Sequence, residues 1–239
     1  MKTNNRIYIL ALLAISANTL ADDNSPSQSL VIGGSQHSSN SSYSYLGLIT
    51  PIWGGKIGDG WFNNTIASWL TYDYNGSQNG STVHVKAKAP GIETGLGYAW
   101  SGPKYALSFS TTLGFRDIGL NPKLANDDGP EGGTFAVSPQ IQARYELLPK
   151  LDTDLISSYS FGPDSSFNRL RLGWTGIPGW RIGIEEVLQR GQTYQNEQQG
   201  IFITKYLSNG ISLELSGGTS KPRDDKSSPY IGISFAKMF

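Results

Sequence analysis

Five arginines and four glutamates are the side chains here best placed to do chemistry: Arg116, Arg144, Arg169, Arg171, Arg181 and Glu93, Glu146, Glu185, Glu214. Each sits on the polar parity of a segment whose other parity is apolar. Guanidinium and carboxylate groups alternating along several such segments can pair with each other, or contact hydroxyls and anionic groups. They do not by themselves make a nucleophile. Histidine occurs only at His37, read as lying in the Ser/Asn-rich turn 36–42, and at His84, beside the Ser81-Thr82 loop edge. Neither has a Ser-plus-acid pattern nearby, so surface histidine is the expected role and no catalytic residue is assigned. Cysteine is absent, which removes disulfides, thiolate catalysis and thiolate metal sites. Asp127, Asp128 and Glu131 fall in the long acidic stretch 117–133, but their spacing is not that of a calcium loop. No metal or cofactor is expected.

The elements that must carry those charges are strands. Phe135, Val137, Pro139, Ile141, Ala143, Tyr145 and Leu147 alternate with Ala136, Ser138, Gln140, Gln142, Arg144 and Glu146, and 105–116 and 92–100 read the same way. Twelve strands are predicted, near 28–35, 42–50, 61–74, 82–98, 104–117, 134–147, 151–161, 168–176, 180–189, 199–207, 210–219 and 229–239; boundary error allows ten to fourteen. The last one ends the chain, with Ile231, Ile233, Phe235 and Phe239 on one face, and reads as the barrel-closing terminal strand. Pro90-Gly91 reads as a change of parity, hence a bulge or bend. Pro139, on an outward parity, must cost one ladder hydrogen bond.

Residues 1–21 read as a secretory signal: Lys2 and Arg6, an apolar run from Ile7 to Leu20 that stops short of the ~20 residues a spanning helix needs, and a small-residue cleavage site before Asp22. Residues 22–239 then form one all-β domain, a closed antiparallel transmembrane β-barrel of about 12 strands. Short links after the even strands (Pro149-Lys150, Ile177-Pro178-Gly179, Ser208-Asn209) and longer ones after the odd strands (75–81, 118–133, 190–198, 220–228) suit periplasmic turns and outer loops. The link 51–60 is an exception: a long turn, or a misread first hairpin. Tyr43, Tyr45, Trp61, Trp69, Tyr72, Tyr74, Trp100, Tyr105, Tyr145, Trp174, Trp180 and Tyr206 fall near strand ends, where aromatic girdles lie. Charge on a lipid face costs ~2–4 kcal/mol per basic residue at mid-bilayer, so the nine charged residues are expected on the lumen wall. They would either plug the lumen by pairing across it or line a polar passage or sugar-binding cleft. The 19 basic residues balance 19 acidic ones, leaving no electrostatic footprint for nucleic acid.

Several segments resemble the family of the cellulose biosynthesis protein BcsS: Val31-Ile-Gly-Gly-Ser35, Tyr43-Ser-Tyr-Leu-Gly-Leu-Ile-Thr-Pro51, Gly58-Asp-Gly-Trp61, Ala89-Pro-Gly-Ile-Glu-Thr-Gly-Leu-Gly-Tyr98, and Gly114-Phe-Arg-Asp117 with Asn121-Pro122. The chain departs from that family in the 118–133 loop. The resemblance implies a bacterial outer-membrane protein, non-enzymatic, accessory to making, exporting or anchoring cellulose or another exopolysaccharide. Its implied partners are outer-membrane lipid, the barrel-assembly machinery, the glycan, and the synthase or export proteins. Tyr194, in the Tyr194-Gln-Asn-Glu-Gln-Gln199 stretch, is the expected glycan contact. A small-solute channel is the alternative, and a lipid-modifying barrel enzyme a more distant one.

Overall fold

The computed structural model describes residues 28–78, 81–123, 131–191, 195–222 and 226–239. The signal-peptide reading, Tyr194, Asp127 and Asp128 all lie outside these described residues. Twelve strands follow one another: β1 (Leu30–Ser38), β2 (Ser41–Pro51), β3 (Gly60–Gln78), β4 (Ser81–Gly102), β5 (Tyr105–Asn121), β6 (Gly132–Leu148), β7 (Leu151–Ser160), β8 (Ser165–Trp174), β9 (Trp180–Arg190), β10 (Gln195–Tyr206), β11 (Ile211–Pro222) and β12 (Ser228–Met238). Each pairs antiparallel with its sequence neighbours, and β12 closes the barrel against β1 from Leu30↔Met238 to Ser38↔Tyr230. Both chain ends of the barrel therefore meet at the end that carries the turns 103–104, 149–150, 175–179 and 207–210. The 51–60 link is a true long turn at this end, folded on itself by a Lys56↔Asp59 bridge, with Trp53 set edge-on against Trp61 at 5.6 Å.

Alternation works here because a barrel has only two surroundings. Ile92, Leu96, Leu107, Phe109, Leu113, Val137, Ile141, Leu170, Ile184, Ile201, Leu215, Ile231, Ile233 and Phe235 all stand exposed on the outer wall, forming an apolar belt. Phe239, one residue past β12, is exposed as well. Their sequence neighbours fill the interior.

The strands are unequal. At ~3.3 Å per residue and a tilt of ~40°, the 22 residues of β4 rise about 55 Å, twice an apolar belt of ~25 Å. The 10 residues of β7 or β8 rise about 25 Å. So β3, β4 and β5 stand well beyond the belt at the end opposite the turns. Residues 75–78, read as loop, are strand paired with 81–84. His37, read as lying in a turn, belongs to β1 and faces outward.

Pro90-Gly91 produces no bulge and no change of parity, although the β4–β5 pairing is interrupted there, stopping at Lys88↔Gly119 and resuming at Gly91↔Arg116 in the same register. The β3–β4 register runs unbroken through Trp69↔Pro90, and Val85, Ala87 and Ala89 face inward exactly as do Glu93, Gly97 and Ala99 beyond the proline. What changes there is the environment. Below Pro90 the outward side chains are Ile92, Leu96 and Trp100; above it they are Lys88 and Lys86, while the inward ones turn apolar. Pro139 does break a ladder. β6–β7 pairing stops at Gln140↔Ser158 and resumes at Val137↔Phe161 in the same register, because the proline lacks the N–H due to Tyr159. A buried Ser138–Ser160 hydroxyl pair, 2.8 Å apart, spans the gap. The one register shift in this pairing lies between Glu146 and Leu148.

Candidate functional site: the barrel interior

The interior has three storeys. Nearest the turns is a cavity of about 670 Å³. Leu30, Ile32, Ile49, Phe62 and Ile66, from β1 to β3, give it an apolar wall; Ser108, Ser110, Gln140, Gln142, Asp152 and Asp154, from β5 to β7, face them. Glu146 and Lys104 stand at its mouth beside Ile57 of the long turn. Parity alone builds this two-sided lining, since each strand sends every second residue inward.

From the cavity's own polar wall an ion-paired waist climbs away from the turns. Arg181 of β9 is fully buried and donates through Nη2 to Asp152 and Asp154, 2.5 Å each, and through Nε to Asp152 at 2.9 Å. Arg144 donates to the other Asp152 oxygen at 2.7 Å. Arg171 of β8 forks onto both oxygens of Glu214 at 2.9 and 3.0 Å and reaches Glu185 at 2.8 Å. Thr204 and the Tyr230 hydroxyl donate to Glu214 and Glu185. The Phe202 ring joins the two halves, with Arg171 at 4.5 Å and Arg181 at 4.8 Å from its centroid. Room for this comes from missing side chains: a Cβ on Gly173 would sit 2.4 Å from Arg181 Nε, and one on Gly183 2.7 Å from the Phe202 ring. Buried charges of this kind hold only when each partner is satisfied, and forked, multiply bonded geometry meets that demand. The demand is not met at every atom: Arg181 Nη1 and Asp154 Oδ1 have no protein partner, and Arg169 is buried beside a void of about 60 Å³ with Nε and Nη2 unpartnered by protein.

Further from the turns the opposite walls also meet through apolar contact. Ile66 of β3 packs with Ile156 of β7, Phe167 of β8 and Val187 of β9, and Tyr45 leans on the group. Gln36 of β1 donates to Gln198 of β10 at 2.9 Å, past two intervening strands. The third storey, inside the long strands, is an apolar cluster of Tyr43, Leu70, Tyr72, Tyr74, Val85, Ala87, Ala89, Ile118 and Leu120. Glu93 and Arg116 sit just beneath it, bonded to Thr112 and Ser68.

Tyrosine was misjudged by position. Tyr43 and Tyr72, 4% and 2% exposed, point inward together with Tyr45, Tyr74 and Tyr206 and belong to no girdle, because nearness to a strand end says nothing about parity. Trp61, Trp69, Trp100, Tyr105, Tyr145 and Trp174 do face outward. Trp180 does so beneath Lys205, whose Nζ lies 4.4 Å from the ring centroid. His84 is exposed on β4 with Asp73 at 3.3 Å and Asn75 at 3.4 Å. Glu131 pairs with Lys123, and that contact raises the Lys123 pKa. Among the described residues no group of three His, Asp or Glu side chains could hold a metal. Sequence reasoning missed Asp152 and Asp154, yet Leu151-Asp-Thr-Asp-Leu155 places both on the parity opposite the leucines, and that pattern would have found them.

The architecture recurs in solved outer-membrane proteins. The KdgM porin matches with a TM-score of 0.53 at 10% identity, over 88% of this chain and 99% of its own. The β-domain of the Bordetella autotransporter BrkA matches at 0.53 and 15%, over 89% and 98%, and an outer-membrane channel from Pseudomonas putida F1 at 0.52 and 14%, over 89% and 96%. At such identities the likeness shows the fold, and with the closed barrel it places the chain in the bacterial outer membrane, where barrels of this kind carry their short turns on the periplasmic side. No curated protein matches in sequence. A family model described as cellulose biosynthesis protein BcsS matches residues 30–239.

Proposed function

This chain belongs to the family of the cellulose biosynthesis protein BcsS, and from that premise we propose that it is a non-enzymatic accessory that aids assembly, export or surface anchoring of cellulose or a related exopolysaccharide without itself conducting it. The observation that carries this reading is the filled waist. Ile66 meets Ile156, Phe167 and Val187 across the barrel, and nearer the turns Arg171 and Arg181 tie together the wall between β6 and β11. A conducting pore needs a continuous wet path. This interior spends its charged residues on one another instead. The work of such a barrel lies at its two ends, with synthase or export proteins on the periplasmic side and the glycan as partners.

Deleting the gene under cellulose-producing conditions is expected to reduce cellulose-binding dye retention while leaving small-solute uptake intact. Unchanged staining would overturn the accessory role. In planar bilayers the purified protein is expected to stay silent; stepwise conductance, altered by Arg144→Ala or Arg171→Ala, would establish the small-solute channel instead.

A further inference from the structure

We propose that the periplasmic cavity is a binding site for the end of a neutral, hydroxyl-rich glycan chain, such as a short β-linked glucan; this rests on the accessory role proposed above. The polar wall carries Ser108, Ser110 and Gln142, two hydroxyls and an amide that both donate and accept. A ligand rich in hydroxyls, which likewise donate and accept, can meet each of them; a carboxylate can only accept.

The opposite wall asks for apolar surface. The Phe62 ring lies over Gly97, where a Cβ would come within 2.2 Å of it, so the ring rests against the wall while its residue lines the cavity beside Leu30 and Ile66. A pyranose offers both faces at once, C–H groups for the ring and hydroxyls for the polar wall. The lining charges, Lys104, Arg144, Glu146, Lys150, Asp152 and Asp154, balance in sign, and two of them, Arg144 and Asp152, are bonded to each other. The cavity therefore presents no net field for an anionic or cationic chain. Its volume of about 670 Å³ falls within the ~300–1,000 Å³ of small-ligand sites.

The test is calorimetric titration of the full barrel in detergent with cellotetraose, and with tetragalacturonate as an acidic comparator. Saturable binding of cellotetraose alone is expected. Phe62→Ala, which removes the ring from the apolar wall, should weaken it at least about 5-fold, and Ser108→Phe, which fills the cavity from the polar wall, at least about 10-fold. Lys88→Ala, outside on β4, should leave it unchanged. Folding of each variant is read from heat-modifiable gel mobility, and having two variants on opposite walls keeps the test decisive if one fails to fold. No binding to the folded wild type, equal binding of the acidic chain, or full binding by Ser108→Phe would overturn the site. If cellotetraose does not bind but gene deletion still lowers cellulose staining, the accessory role stands and only this site falls. If binding holds while staining is unchanged, the reverse is true.

Discussion

β4 is two strands in physical terms. From Gly91 to Gly102 it turns Ile92, Leu96 and Trp100 to the outside and Glu93, Gly95, Gly97 and Ala99 to the lumen. From Ser81 to Pro90 the geometry is unchanged, but Lys86 and Lys88 are outside and Val85, Ala87 and Ala89 are buried within. β3 and β5 show the same inversion, with Leu70, Tyr72 and Tyr74, then Ile118 and Leu120, entering the upper cluster. The lower region is solved against lipid, the upper one against water. A barrel segment in the membrane hides its polar side chains inside, whereas one that projects into solvent needs an apolar core like any soluble sheet. The β3–β4 ladder runs unbroken through both zones, and β4–β5 keeps one register across its gap at Pro90.

The sharpest way to break this comparison is to attack the polar interior that only the membrane zone has. Arg181→Ala strands Asp154 as a buried charge, leaves Asp152 with Arg144 alone, and should cost about 3–5 kcal/mol, the scale for removing one partner of a buried pair. Chemical unfolding of the barrel in detergent would report it as a lower midpoint. The combination Arg181→Met and Asp154→Asn should recover most of the loss, because it removes those two charges together and leaves Asp152 paired with Arg144. A small effect for the single variant would mean the waist is hydrated rather than sealed.

Next in size is a charge on the membrane-facing part of the same strand. Leu96→Lys sits midway between Pro90 and Trp100 and should cost ~2–4 kcal/mol in unfolding from lipid vesicles, the penalty for a basic residue at mid-bilayer. A cost near zero would move the membrane away from this zone and undo the assignment of the belt.

How far the sequence could be read follows the same divide. Within the belt, inward and outward residues differ in polarity, so alternation located all twelve strands, including the exposed outer rows of β5, β6 and β12. Beyond it the inversion defeated the reading. The run from Val83 to Ala89 has its apolar residues on the opposite parity, which mimics a bulge at Pro90-Gly91, and 75–78 carry no apolar alternation and read as loop. The tyrosines failed for a related reason. Tyr43, Tyr72 and Tyr74 sit at the height of an outer girdle but on the parity of the upper core. In the candidate site, arginine and glutamate stood out because charge is costly on a lipid face. Asn64, Gln140 and Phe62 did not, since what distinguishes them is an unmet hydrogen bond or a glycine beneath a ring, and both exist only once the strands are in register.

The smallest expected effect is the most discriminating. Lys88→Leu, in the upper part of β4, exchanges an outward charge for the residue type that the lower part of the strand displays to lipid. If the upper zone stands in water, the change adds one exposed leucine and should alter stability by no more than ~0.5 kcal/mol, the ordinary range for a surface substitution. If lipid reached this height, removing a basic residue from it should stabilise the barrel by most of the ~2–4 kcal/mol such a charge costs there. Leu96→Lys and Lys88→Leu are mirror substitutions eight positions apart on one strand, so the boundary at Pro90 is located by the two values taken together. Any sequence of barrel strands that runs past its membrane should show the same change of sign.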